Sequence, residues 1–180
     1  AIKDLEAWGG LCLKDLKNRR IYLLSPENTL LKGGLGRVMQ YLTRALKALG
    51  LEVIIVEPYY PYEIDKEELK KRIADKSIID WEDPPLKALD YEKLPIPLKV
   101  PKKPDFHVSV KAQEKECTVD VFKTENDERV PMYLYKDRDE FFTKLLYFYG
   151  KGQKHPTAFE VSEFLTKAGL KVIDHIENKM

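Results

Sequence analysis

Cysteine and histidine are nearly missing from this chain, and their scarcity excludes several chemistries. Cys12 and Cys117 are the two cysteines among 180 residues. They have no zinc-motif spacing and form no disulfide framework. Apolar neighbours make each a small buried or half-buried residue. His107, His155 and His175 stand far apart, which argues against a zinc site readable from sequence. No apolar run approaches the roughly 20 residues that a membrane-spanning helix needs, and no secretory leader pattern is present. A cytoplasmic setting is therefore expected. Excess charge is missing as well. Lys and Arg number 31 against 30 Asp and Glu, a net +1 with the two signs interspersed, so nothing draws the whole chain to nucleic acid or to an anionic membrane. There is no internal repeat, no Gly-x-Ser-x-Gly elbow, no Walker loop and no His-Asp-Ser set. Acidic pairs such as Glu67-Glu68 read as solvated surface rather than as a glycosidase dyad. No catalytic residue and no metal ligand can be nominated.

Against these absences stands a 43% hydrophobic content, enough for a core, in a length that suits one domain. The chain is organised around residues 21–57. A short apolar run at 21–24 leads through a turn-rich segment to Lys32-Gly33-Gly34-Leu35-Gly36. Leu35, Val38, Met39, Leu42, Ala45, Leu46 and Leu49 then recur at three- and four-residue steps, the apolar face of a helix, with Arg37, Gln40, Arg44 and Lys47 mostly opposite. Gly50 is placed to stop that helix. Residues 53–56 form a second apolar run rich in β-branched side chains. The reading is strand, glycine loop, helix, strand: one right-handed βαβ unit. Glycine reaches positive φ and lets the backbone approach another group closely. The unpaired N–H groups and the dipole at a helix amino end suit a phosphate or a hydroxyl-rich sugar. Lys32 adds a full charge beside them. Read alone, the motif is as well explained by a tight turn with a solvated lysine.

Residues 1–20 read as a linker or a small docking element, with Leu5, Trp8 and Leu11 as a short amphipathic pattern broken by Gly9-Gly10. After Val56 prolines become dense up to Pro104. The exception is a short helix capped by Asp65, with Leu69 and Ile73 on one face. Tyr59, Tyr60, Tyr62 and Trp81 in this long loop read first as pins against the core and second as sugar-stacking faces. Residues 106–110 and 118–122 alternate with a period of two around a polar turn, a hairpin. Residues 130–135 form another strand. Phe141, Phe142, Leu145, Leu146 and Phe148 are a core cluster, and Gly150 and Gly152 with Lys151 and Lys154 form a basic turn. Thr157 with Glu160 forms a capping box for a last helix whose buried face is Val161, Phe164, Leu165, Ala168, Val172 and Ile176. Gly169 falls on the exposed side and weakens it. The alternative is a helix that stops at Gly169, followed by a strand over 170–173.

The wording of residues 30–61, LLKGGLGRVMQYLTRALKALGLEVIIVEPYYP, resembles the opening of the bacterial glycogen synthases and plant starch synthases. So do VPMYLYKDRDEFF and LYFYGKG further on. These are glucosyltransferases of the two-domain GT-B architecture. The elements come in the same order over about 21–176. The resemblance implies an α/β fold: a Rossmann-like, mostly parallel sheet with a β-hairpin insertion and helices on both faces, the acceptor-side amino-terminal half of a GT-B enzyme. It divides the chain into an extension over 1–20 and that domain over 21–180. It also implies a glucose donor, ADP-glucose or UDP-glucose, an α-1,4-glucan acceptor, and no metal or other cofactor. The implied contacts to the donor's phosphates are Lys32, Gly33, Gly34 and Gly36, with Arg37 as a second contact.

The departures bear on that reading. In the family the lysine precedes the first glycine by two residues; here Leu31 has that place and Lys32 follows it, a displacement of about 3 Å along the chain. Arg37 replaces the usual Asp, and Gly36-Arg37 is the wording of the glucan phosphorylases. His155-Pro156-Thr157-Ala158 stands where the family writes Tyr-x-Asp-Asn. The family's next strand and its whole carboxyl-terminal, donor-binding domain lie beyond Met180. The expectations are therefore a fragment of a glucosyltransferase, inactive by itself, or a non-catalytic glucan- or partner-binding half-domain, with a phosphorylase-type domain as a third reading. An uncovered cleft face predicts dimers or a partner chain.

Overall fold

A computed structural model describes residues 19–27, 34–77, 80, 83–150 and 154–180. Strands β1 (Arg20–Leu24) and β2 (Glu52–Pro58) run parallel, from Arg20 opposite Glu52 to Leu24 opposite Val56. Helix α1 (Gly34–Ala48) connects them. Gly50 has φ 75°; its N–H bonds Lys47 O at 2.9 Å, and Leu51 N–H bonds Leu46 O at 3.2 Å. That pair of bonds is a Schellman cap, which needs a left-handed residue at this place. The strand–helix–strand reading holds.

A two-stranded ladder, β3 (Tyr62–Ile64) with β4 (Leu86–Ala88), flanks helix α2 (Lys66–Ala74). Asp65 Oδ1 accepts from the Glu67 and Glu68 N–H groups at 3.1 Å and starts α2 as expected. Helix α2 buries no residue; Leu69 is half-buried and Ile73 exposed. Tyr60 and Tyr91 are buried, and Tyr59 packs with its ring centre 5.0 Å from that of Tyr91 and 5.3 Å from that of Phe122. These aromatics hold the proline-rich segment to the core. Trp81 lies outside the described residues.

The hairpin is β5 (Phe106–Ala112) with β6 (Lys115–Glu125), and β7 (Pro131–Asp137) pairs antiparallel with β6. Gln113 and Glu114, at φ 48° and 62°, make its two-residue turn. Positive φ at both positions gives such a turn the twist its strands need. The sheet order is β1-β2-β7-β6-β5, and β2 pairs parallel with β7. Four of the five strands therefore point the same way, with β6 reversed. This is the mostly parallel sheet with a hairpin insertion that was expected.

Helices cover both faces. Met39 and Leu46 of α1 pack with Leu23, Val53, Ile55, Met132 and Leu134 on one face. Helix α3 (Ala158–Lys179) packs Val161, Phe164, Ala168, Val172 and Ile176 against Ile54, Val56, Val121 and Tyr135 on the other. Strand β2, apolar throughout its middle, is buried on both sides, as a central parallel strand should be. The capping box of Thr157 and Glu160 is present. Among the described residues no helix is long and apolar enough to cross a membrane.

Two expectations are corrected. Helix α3 runs unbroken through Gly169, which is buried rather than exposed, because Leu24 of β1 packs where a Cβ would stand. The strand over 170–173 does not form. Helix α1 is rolled about its axis. Its buried residues are Gly36, Met39 and Thr43, while Leu35, Val38, Leu42 and Leu49 are exposed. Two contacts set the roll. Arg44 Nε bonds Glu128 Oε1 at 2.5 Å and Lys47 Nζ donates to Glu128 O, tying one flank of the helix to the turn between β6 and β7. At the amino end only glycine fits against the sheet, as the site shows.

Candidate functional site at the amino end of the first helix

Strands β1, β2 and β7 end on the same side of the sheet, and the amino end of α1 lies there too. In open α/β sheets this carboxyl edge is where ligands bind. The chain leaving β1 is tightly held. Ser25 Oγ donates to Glu27 O at 2.7 Å and accepts from Glu27 N–H at 3.2 Å. Tyr60 OH donates to Pro26 O at 2.9 Å. Glu27 is 1% exposed, and its Oε2 accepts from Tyr147 OH at 2.9 Å.

Glu27 decides the residue at 36. A Cβ built on Gly36 would stand 2.8 Å from Glu27 Oε1 and 3.2 Å from its Cγ. The buried carboxylate thus lies against the first turn of α1, and only glycine lets the helix approach it. Its negative charge at a helix amino end is favourable, since the dipole leaves partial positive charge there. Gly34 is different. It begins α1, is exposed, and a Cβ there would meet nothing within 4 Å. Neither Gly34 nor Gly36 has positive φ, so the conformational reason expected for these glycines does not apply; for Gly36 close approach does. Arg37 is exposed in the first turn, which holds no acidic residue. Lys32 and Gly33 lie outside the described residues.

The wall beside this edge is built by the segment after β7. Asp137, 1% exposed, accepts from the N–H groups of Phe141 (2.6 Å), Phe142 (3.2 Å) and Thr143 (3.0 Å) and from Thr143 Oγ1 (2.8 Å). That single carboxylate folds residues 138–143 back over the sheet and leads to Tyr147. Tyr147 sits at φ 57° and is half exposed. Its phenol is pushed up to about 12, by burial first and then by the hydrogen bond to Glu27. Glu27, Asp137 and Tyr147 were not singled out from the sequence. Tyr147 is 120 positions from Glu27, and no local pattern marks such a pair.

Residues 20–180 match the sequence profile of the starch synthase catalytic domain. The chain belongs to that family. The domain's fold is similar to that of the catalytic domain of starch synthase IV from Arabidopsis thaliana bound to ADP and acarbose, with a TM-score of 0.52 and 16% identity. The match covers 88% of this chain and 25% of that one, so the chain spans about a quarter of that relative's length. At this identity the likeness bears on the fold. No curated protein matches the chain. A GT-B half with an α/β sheet, the architecture implied by the glycine-loop wording, is what this chain has.

Proposed function

We propose that this starch synthase domain is the acceptor-side half of a glucosyltransferase that moves glucose from ADP-glucose or UDP-glucose to an α-1,4-glucan. The observation that carries the reading is the amino end of α1. It stands at the carboxyl edge of three parallel strands, with open space above Gly34 and Glu27 packed beneath Gly36. An anion approaching from above meets backbone N–H groups and Arg37, with Lys32 and Gly33 of the same loop as further contacts. These donors would act most strongly on the leaving phosphate as its charge grows, which is electrostatic stabilisation of the transition state without a metal. The donor's other contacts, and the second wall of the cleft, belong to a carboxyl-terminal domain.

The test uses the protein with that second domain present. Gly34→Val should leave the melting temperature unchanged, because nothing stands near the new side chain, yet reduce turnover by obstructing the phosphate. Lys32→Ala should lower kcat by roughly two to three orders of magnitude while glucan binding is retained. The 180-residue chain alone should release no nucleotide from either donor in the presence of glucan. Full turnover by both variants would overturn the reading and leave the loop as a turn. A chain that binds glucan tightly but gives no turnover even with the second domain would instead be a binding module.

A further inference from the structure

The proline-dense segment after β2 takes no part in the site at α1, and it encloses a cleft of its own. The cleft holds about 750 Å³ and opens to solvent, within the range of about 300–1,000 Å³ in which small ligands are held. Its floor is apolar. Leu89, Tyr91 and Leu98 are buried there, and the part-buried ring of Tyr59 joins them. Its rims are charged. Asp90 and Glu92 come from a single turn of helix, Tyr91–Lys93, and the residue that caps it. Lys99 and Lys102 come from the irregular segment that follows. Asp90 is engaged locally: Oδ1 accepts from Glu92 N–H at 3.1 Å, and Oδ2 lies 3.3 Å from Lys93 Nζ. The side chains of Glu92, Lys99 and Lys102 have no such partner among the described residues.

The walls are fixed before anything binds. Leu89 N–H bonds Pro61 O at 2.9 Å, Leu98 N–H bonds Tyr91 O at 2.9 Å, and Thr124 Oγ1 donates to Lys99 O at 2.7 Å. Tyr91 OH accepts from Tyr60 N–H at 2.9 Å. Pro95, Pro97 and Pro101 hold the backbone between these anchors to one φ. A cleft set in this way loses little freedom when it takes a ligand. It also gives the long insertion between β2 and β5 a use, since an irregular stretch of that length in a compact domain is commonly functional.

The lining selects the ligand. Two acids and two lysines cancel, so the cleft has no net charge to draw an ion. Glu92 offers acceptors while Lys99 and Lys102 offer donors, which suits a molecule whose groups do both. An apolar floor with a tyrosine ring suits the C–H faces of a sugar. A neutral polyhydroxyl chain meets all three conditions, and the cleft is placed to receive one. Tyr59 directly follows Pro58, the last residue of β2, so the cleft reaches the carboxyl edge of the sheet. Its neighbour Tyr60 bonds Pro26 O in the chain that leads toward α1.

We infer that this cleft is a glucan-anchoring site, which holds a stretch of α-1,4-glucan away from the point of transfer. Glu92, Lys99 and Lys102 take sugar hydroxyls, and Tyr59 takes a ring face. The identity of the sugar chain rests on the proposed transfer reaction; the site itself is separate from the phosphate-facing end of α1.

The experiment titrates the full 180-residue chain with maltoheptaose and follows amide resonances. Those of Glu92, Lys99, Val100 and Lys102 should shift, and those of Gly34 and Arg37 should not. Glu92→Ala with Lys102→Ala removes two exposed side chains that leave no partner behind. The pair should keep the melting temperature and weaken binding by about tenfold or more, the worth of a charge-assisted hydrogen bond. Added salt should change the affinity little, because the ligand is uncharged. Three outcomes overturn the inference: no shifts at millimolar maltoheptaose, shifts centred on the amino end of α1, or equal affinity in the double variant. The protein with its second domain separates the two readings. Maltoheptaose held in the cleft without any glucose transfer removes the reaction and keeps the site. Transfer with nothing bound in the cleft removes the site and keeps the reaction.

Discussion

At the residue scale the site rests on one buried carboxylate. Glu27 is held by Tyr147 from one side and faces Gly36 from the other, so it cannot yield to an added methyl without losing its hydrogen bond. Gly36→Ala should therefore destabilise the fold by about 1–3 kcal/mol, the usual cost of overpacking, although alanine is the better helix former. Denaturant melts check this. In a cycle with Glu27→Ala the two changes should be strongly non-additive, because each removes the other's obstacle. Tyr147 has a pH signature. Its phenol ionises near pH 10 in an unfolded chain and near about 12 here. A raised value means that its contribution is fully present below pH 10 and is lost as pH rises through 12. Tyr147→Phe should lower stability at neutral pH by about 1 kcal/mol, the usual net worth of one hydrogen bond, and should flatten that part of the alkaline limb. An alkaline limb that is unchanged would mean the bond to Glu27 does not hold in solution.

At the scale of elements, the strands of the main sheet, the hairpin and the helices among the described residues were legible because each has a strong local signal. Examples are the apolar run of β2, the capping residues Asp65 and Thr157, and Gly50 as a stop. What sequence could not give was rotation. Periodicity puts Leu35, Val38, Met39, Leu42, Ala45, Leu46 and Leu49 on one apolar face of α1, but only Met39 and Leu46 of these pack against the sheet, with Thr43 buried between them. The fold turns the helix this far because Gly36 must meet Glu27 and because Arg44 and Lys47 reach Glu128. Gly169 was misread for the same reason, its neighbour Leu24 being far away in sequence. The loop of the site was legible as a motif; its supporting carboxylate was not, since Glu27 has no pattern of its own. The hairpin turn offers an element-level test. Glu114 is held at φ 62°, where a side chain costs about 1–2 kcal/mol. Glu114→Gly should raise stability by about 1 kcal/mol, read as a higher melting temperature, and a drop would show that the turn relaxes otherwise.

At the scale of the whole molecule, the sheet has a seam. Strands β5, β6 and β7 are neighbours both in sequence and in space, and so are β1, α1 and β2. The ladder between β2 and β7 joins the two blocks, with Ile55 opposite Met132 across a long intervening chain. Closing that loop costs entropy before any contact rewards it. Native-state hydrogen exchange should show β1, α1 and β2 opening together at a lower free energy than β6 and β7; a single global opening would refute this. Helix α3 is the strap across the seam. It touches β2, β5 and β7, receives Leu24 at Gly169, and accepts the Tyr135 hydroxyl at Leu165 O, 3.0 Å away. During synthesis from the amino end, the two blocks can each form as they emerge, but α3 cannot brace them until residues 158–179 leave the ribosome. Until then the apolar underside of β2, Ile54 and Val56, lies bare. The nascent chain is thus most exposed to mispairing in the interval between completion of β7 and arrival of α3.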